Sequence, residues 1–595
     1  MTYLLSFYVF LALNGLSLQA STPDSPTYIG AVVEYHPVDQ GDDGEMIAEA
    51  NAVNYRTIIK TASLYEVDII VFPEFGLTTP PRDEVTNRGK RFNDAEFRAY
   101  YRDTASYVPS PNDSIVLCEA DSKNVKNSLQ SISCAAREFK MYVVVNHHER
   151  VECPSNKAHC ASDGFLLYNT NVVFDREGRV IARYRKRHLF NEIGTNVTNY
   201  NNNESDRAEE DRLSKFSTDF GVTFAQIICF DILHEEPAAR LAKEANVTDV
   251  IFPSHWFDEL PFLTARQEQA AWAYAADVNL LAAGYSDALT ASGGSGIYAG
   301  RSGPIKAYSS EWTSNALIVA EIPKLNSRRR RGPVAGLSKL APPSVHVFKQ
   351  AEVPTLSGMP RHLQKPNEFG FDEDLSAFTS LLLELGKESH IETLCDRGLC
   401  CDFHIEMSYE PKLAETPNTR QHRYRLLVFN GVRAFGNITT VGLQICAVVS
   451  CAGDSLSDCN KQYPRDSNLI APTIFDSLII SRRADLSTRS LYSPTTLVAA
   501  TPFPTSTSSP ASQSNELRPM DGSDFAYVSA GKSNDSLLLA YIVNPRNDLV
   551  TFGIFGRIFS RDGQPETRPI PSAASIIRTS VLLVSAVTIY WAMKL

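Results

Sequence analysis

At 595 residues the chain is too long for a single hydrophobic core, so two or more domains are expected. A hydrophobic content of 43% is that of globular protein and argues against global disorder. A net charge of −11 argues against a nucleic-acid surface, which needs clustered Lys and Arg.

In chain order, residues 1–20 (MTYLLSFYVFLALNGLSLQA) are apolar and end in small residues, as a secretory signal peptide does. Gly15 and Ser17 match the small-x-small cleavage pattern, and Ala20 is a second candidate. The missing basic n-region leaves a membrane anchor as the alternative. From 27 to 325, apolar runs such as TYIGAVVEYH, VDIIVFPEF, MYVVVNHHE, VTFAQIICF, VTDVIFPSHW and NLLAAGYS read as strands buried on both faces. Segments with a helical period, such as GEMIAEANAVNYRTIIKTASLYE, alternate with them. The predicted architecture is a layered α/β domain whose last strand lies in 314–324.

A linker is predicted over 326–339, where four arginines (328–331) are either solvated or a processing site. Residues 340–562 are β-rich and read as a second, smaller domain with a flexible Ser/Thr/Pro-rich loop at 493–516. The final segment, 563–595, places small residues (Ser572, Ala573, Ala574) before a short spacer and a hydrophobic tail. That is the arrangement of a glycolipid-anchor signal, with Ser572 as attachment residue and a lipid bilayer as partner; a short single-pass helix from near Ile576 is the alternative. Six N-x-Ser/Thr sequons, at Asn112, Asn196, Asn203, Asn246, Asn437 and Asn534, fit passage through the secretory pathway to the outer face of the cell membrane.

Of the 11 cysteines, Cys118 with Cys134 and Cys153 with Cys160 are natural local pairs, and six more cluster between 395 and 459. Cys229 is the odd one out, and the spacings contain no paired CxxC clusters of the kind metals use. It follows a strand at the carboxyl edge of the predicted sheet, where α/β folds gather reactive groups. Glu74 likewise falls just after a buried strand, in VFPEF, with an exposed loop carboxylate as the plainer alternative. In the predicted hairpin NVVFDREGRVIARYRKRHLF, turning at 175–178, period two puts Val180, Ala182, Tyr184 and Lys186 on one face. Arg179, Arg183, Arg185 and Arg187 then look solvent-facing. A lysine cation stabilises a thiolate, a carboxylate can take its proton, and the same lysine with the N–H after the cysteine can hold an oxyanion. Glutamate, lysine and cysteine at three strand ends make a workable acyl-transfer site.

VFPEF, RYRK and CFDIL, in this order, resemble the nitrilase superfamily of carbon–nitrogen hydrolases. YNTNVVFDREGRVIARYRK, CFDILHEEPA, GSGIYA and GLCCDFHIEMSY narrow the resemblance to the vanin (pantetheinase) and biotinidase family, over about 27–563. The resemblance implies an αββα sandwich followed by a β-rich domain. It implies Glu74 as proton acceptor, Lys186 as proton donor and oxyanion stabiliser, and Cys229 as nucleophile. It implies an amidase for a linear amide, pantetheine or biocytin, that works through an acyl-thioester without metal or organic cofactor. A non-catalytic surface protein for adhesion or signalling that keeps the fold, or a nitrilase acting on nitriles, are the alternatives. His255, His147 and His148 depart from the family pattern and read as packing or solvated histidines; in a pocket they would alter its polarity. The acidic loop 191–215 reads as a variable surface segment that could reach the pocket rim.

Overall fold

The computed structural model describes residues 20–568, apart from 40–42, 80–92, 121–123, 154–159, 193, 198–208, 211, 242, 245, 288–289, 311–312, 326–339, 350, 354–370, 410–419, 460–468, 471, 488 and 500–516. The expected leader, the anchor signal with Ser572, the linker arginines and Asn203 lie outside the described residues.

The first half runs β1 (Thr27–Glu34), α1 (Gly44–Ser63), β2 (Ile69–Val71), α2 (Asp94–Thr104), α3 (Asn127–Phe139), β3 (Tyr142–Glu152), β4 (Phe165–Phe174) and β5 (Val180–Arg185). There follow β6 (Phe216–Ser217), β7 (Thr223–Gln226), β8 (Asp249–Ser254), β9 (Glu259–Leu260), α4 (Ala265–Ala276), β10 (Asn279–Gly284), β11 (Ser295–Ala299), β12 (Pro304–Tyr308), β13 (Ala316–Pro323) and β14 (Ser344–Val347). Two sheets form, of order β14-β13-β1-β2-β3-β4-β5 and β12-β11-β10-β8-β7-β6. Their facing sides share one core, in which Val32, Val71 and Val144 of the first sheet meet Phe224, Ile251 and Leu281 of the second. Helices α1 and α3 cover the outer face of the first sheet through Tyr55, Ile58, Ile132 and Ala136. Helix α4 covers the second through Trp272 and Ala273. The αββα order is therefore observed, and both sheets are apolar on both faces because both faces are covered.

Local chemistry sets the ends of these elements. The Asp43 side chain caps α1 by accepting from the N–H groups of Glu45 and Met46. The β4–β5 turn falls at 175–178 as expected, with Asp175 Oδ1 accepting from the N–H of Glu177 and Arg179. Gly178 closes that turn at φ 77°, and a Cβ there would stand 2.5 Å from the Ser133 carbonyl.

The second half is a β-sandwich. One sheet has the order Thr379–Leu382, Arg423–Phe435, Thr439–Cys451, Leu549–Ile558, Ser490–Ala499, Leu517–Arg518, and a five-stranded sheet packs on it. The apolar back of its first sheet (Phe429, Leu443, Ile445, Phe555) continues the core that holds α4, so α4 lies between the two halves.

Two boundaries differ from the sequence expectation. Strand β14 pairs antiparallel with β13, and Phe348 and Val353 enter the α1–α3 core, so 344–353 pack with the first domain and not the second. Residues 493–499 form strand, not loop. Pro494 is tolerated there because its strand pairs through that region on one side, with Leu549–Ile558, and meets Leu517–Arg518 only at Val498 and Ala499.

Candidate active site

Four strand ends converge. Glu74 comes three residues after β2, Lys186 directly after β5, Cys229 three residues after β7 and His255 directly after β8. The Lys186 ammonium lies 2.7 Å from Glu74 Oε1, and both side chains are 1% exposed. Asn169 Nδ2, from β4, donates to the same oxygen at 2.7 Å, while the His255 backbone N–H donates to Glu74 Oε2 at 2.8 Å. Lys186 also pairs with Glu192, whose other oxygen accepts from Asn169 Nδ2 at 2.9 Å. The Cys229 thiol is within 3.5 Å of the His255 carbonyl.

The charges follow from this packing. Burial disfavours the Lys186 ammonium, but Glu192 and Glu74 outweigh it and hold the pKa well above its ordinary value. Burial pushes the Cys229 thiol well up, Glu74 pushes the same way, and Lys186 pulls against them. The resting thiol is therefore protonated beside a carboxylate. Burial also raises Glu192, against the pull of Lys186. The arrangement suits transfer of the thiol proton to Glu74 as sulfur attacks, with Lys186 staying charged beside the reacting carbonyl.

The backbone at Cys229 is left-handed, φ 45°, a conformation that costs a non-glycine residue about 1–3 kcal/mol and that surrounding contacts must enforce. Asp231 supplies those contacts. Fully buried, it accepts from the Ile228 N–H (3.0 Å) and the Tyr184 hydroxyl (2.7 Å) through Oδ2, and from the His188 N–H (2.9 Å) through Oδ1. One carboxylate thus ties the lysine strand to the turn that carries the cysteine.

Two cavities meet at Cys229, and Phe190, Asn191, His255 and Phe257 line both. One, of about 390 Å³, contains Glu74, Lys186, Glu192 and His148. The other, of about 500 Å³, is walled by Phe230, Trp256 and the Arg433–Ile438 segment of the second half. Phe435 of that segment meets Phe230 edge-on, centroids 5.2 Å apart. Arg433 pairs there with Glu259 and, at 3.0 Å, with Glu373.

Several expectations are corrected. Arg183 is buried and Arg185 nearly so; both pair with the buried Glu149, so the second face of β5 packs against charge rather than water. The loop from 191 begins inside the site, since Glu192 touches Lys186. His148 is buried in the cavity wall, and the His255 ring stacks on Tyr285 at 4.0 Å while lining both cavities. His147 is also buried, accepting the Ser106 N–H through Nε2. Cys118–Cys134 and Cys153–Cys160 pair as expected, and Cys395–Cys400, Cys401–Cys446 and Cys451–Cys459 resolve the distal cluster. Cys229 alone is free. Asn112, Asn246, Asn437 and Asn534 are exposed, whereas Asn196 is half-buried and its Oδ1 accepts the Leu167 N–H. Among the described residues, no three His, Cys, Asp or Glu side chains gather as a metal site, and no helix is long and apolar enough to cross a membrane.

Sequence reasoning missed Glu192, Asn169 and Asp231. The signals were there: a second acid six residues after Lys186, a polar residue inside an apolar strand, and an acid two residues after the cysteine.

Residues 31–330 match the carbon–nitrogen hydrolase family model, and 368–562 match the vanin C-terminal domain. Vanin-like protein 1 of Drosophila melanogaster is 32% identical over 565 residues, covering 92% of this chain and 88% of that protein. A pantetheine hydrolase of Homo sapiens is 29% identical, covering 77% of this chain and 79% of that protein. Biotinidase of Bos taurus is 28% identical, covering 77% and 85%.

Proposed function

Because this chain belongs to the vanin family of carbon–nitrogen hydrolases and is a hydrolase acting on amides, we propose that it cleaves a linear secondary amide through a Cys229 thioester, with pantetheine as first substrate and biocytin as second. The observation that carries this is the meeting of Glu74, Lys186 and the one free cysteine at strand ends in a shared cavity.

In the proposed cycle Glu74 takes the Sγ proton as sulfur adds to the amide carbonyl. Lys186 Nζ and the Phe230 N–H receive the oxyanion, and Glu74 passes the proton to the departing amine. Water, deprotonated by Glu74, then attacks the thioester; the C–S bond breaks to release the acid, and Glu74 returns the proton to Sγ. Glu192 keeps Lys186 charged in a site that burial would otherwise neutralise. From pantetheine the products are pantothenate and cysteamine; from biocytin, biotin and lysine. Five disulfides and four exposed sequon asparagines favour work outside the cell, and the small residues at 572–574 with the hydrophobic tail after them favour a C-terminal lipid anchor.

The test is to secrete the chain from a eukaryotic host and incubate it with pantetheine and biocytin side by side, with Cys229→Ala as control. Cysteamine or lysine release that the control loses is the expected result. Release of neither by folded protein would overturn both named activities.

A further inference from the structure

His148 stands on β3 with its ring fully inside the protein, 1% exposed, in the wall of the cavity that holds Cys229 and Glu74. The ring is clamped. It stacks on Tyr101 at 3.7 Å and on Phe75 at 5.1 Å, with Phe97 edge-on at 6.0 Å. Its Nδ1 lies 3.2 Å from the Thr78 carbonyl and 3.0 Å from Thr78 Oγ1, and the His148 N–H donates to that Oγ1. A carbonyl oxygen can only accept, so a lone pair on Nδ1 at that distance would be repelled. The proton therefore sits on Nδ1, and the Tyr101 hydroxyl donates to the same carbonyl.

This tautomer makes Nε2 an acceptor. Nε2 is buried and has no hydrogen-bond partner among the described residues, although a buried polar atom is almost always paired. Burial holds the imidazole pKa well below its usual value, so the ring stays neutral through the physiological range. A neutral acceptor held rigidly by two aromatic rings and a threonine is suited to a neutral donor, not to a carboxylate or phosphate. Thr79, Tyr285 and Thr290 line the same cavity.

We propose that His148 is a specificity-determining residue, its Nε2 accepting a hydrogen bond from a hydroxyl or a ureido N–H on the acyl half of the substrate. The inference rests on the amidase reading above. It falls on the acyl half because in both named amides the strong neutral donors at the end remote from the scissile bond lie there, the hydroxyls of the pantothenoyl group and the ureido N–H groups of biotin, whereas the amine halves carry only a weakly donating thiol or charged groups. A substrate lacking the donor would leave Nε2 buried and unpaired, and a site of that kind rejects such analogues strongly.

Two substrate pairs test it. One is pantetheine with its counterpart lacking both hydroxyls; the other is biocytin with its counterpart carrying a plain pentanoyl chain in place of biotin. The readout is the ratio of kcat/KM within each pair, for the wild type, His148→Phe and His148→Gln. The wild type is expected to prefer the donor-bearing member of one pair by about 10- to 100-fold, and which pair identifies the donor as hydroxyl or ureido. His148→Phe, which keeps the stack, is expected to shrink that ratio about tenfold, and His148→Gln, which keeps an acceptor oxygen, to retain part of it. A merely structural role lowers both members alike and leaves the ratio unchanged, and so does loss of folded enzyme, since both substrates see one preparation. A wild-type ratio near one in both pairs, or an undiminished ratio in His148→Phe, overturns the inference while the amidase reading stands. Absence of turnover on all four amides overturns that reading and this inference with it.

Discussion

Asp231→Asn keeps the shape of the side chain and removes its charge. The carboxylate accepts three hydrogen bonds, from Ile228, Tyr184 and His188. A hydrogen bond to a charged acceptor contributes about 1 kcal/mol more than one to a neutral acceptor, so three such losses come to about 3 kcal/mol. An asparagine oxygen can stay with Ile228 and Tyr184, which turns the amide NH₂ against the His188 N–H and orphans a buried donor for about 1–2 kcal/mol more. Relief of burying a carboxylate whose three partners are all neutral offsets part of this, leaving about 2–4 kcal/mol net. In a domain of about 300 residues that is a fall in Tm of about 3–6 °C. The turn that holds Cys229 at φ 45° slackens with it, and a displacement of about 1 Å costs about 100-fold in rate. The assay joins a thermal melt to steady-state kinetics on a turned-over amide, with Tyr184→Phe as the single-bond comparison, expected to cost about 1 kcal/mol. The drop should lie in kcat, since Asp231 does not line either cavity. A Tm within about 2 °C of wild type together with kcat within about threefold would refute the reasoning.

Cys229→Ala should abolish turnover, and thiol titration of the unfolded, unreduced chain should find a single thiol, because ten of the 11 cysteines are paired; a second reactive thiol would contradict the pairing. Glu149 bears on acid stability. Burial alone would raise its carboxyl, but Arg185 and Arg183 bring it down to about 2 from an ordinary 4.5. Its contribution, about 3 kcal/mol, is complete above pH 4.5 and fades as pH falls towards 2. The stability gap between wild type and Glu149→Gln should therefore narrow over that interval, and a gap that widened on acidification would reverse the assignment. Phe435→Ala removes a wall of the larger cavity and should raise KM about 5- to 20-fold with a smaller change in kcat; an equal fall in kcat at constant KM would place Phe435 in the chemistry instead.

The layered order of the first domain and the convergence of the three side chains proposed to react were legible because each rests on local pattern. Buried strands show as apolar runs, and a charged residue just past such a run marks a strand end. Parity picked out Lys186 correctly but misread Arg183 and Arg185, because period two separates faces without saying what covers them; Glu149 on the neighbouring strand does. Glu192 was hidden in an acidic loop whose composition reads as solvated, and its reach back to Lys186 is a matter of chain path. Strand β14 was missed because Ser344–Val347 is short and its pairing with β13 is visible only in three dimensions. The environment of His148 depends on Tyr101, Phe75 and Thr78, whose convergence no single stretch of sequence records.

The segment Arg433–Ile438 belongs to a domain that contributes none of the three proposed reacting groups, yet it walls the approach to the cysteine. Ownership of the cleft is thus divided. Selection on substrate preference can act on a β-hairpin tip while the αββα half stays untouched, so relatives with one chemistry could diverge in diet by altering the other domain. The division also binds the halves in folding. The core that holds α4 runs on through Phe429, Leu443 and Phe555, and its first-domain side would be laid bare if the first domain were produced alone; an apolar face of that kind invites aggregation.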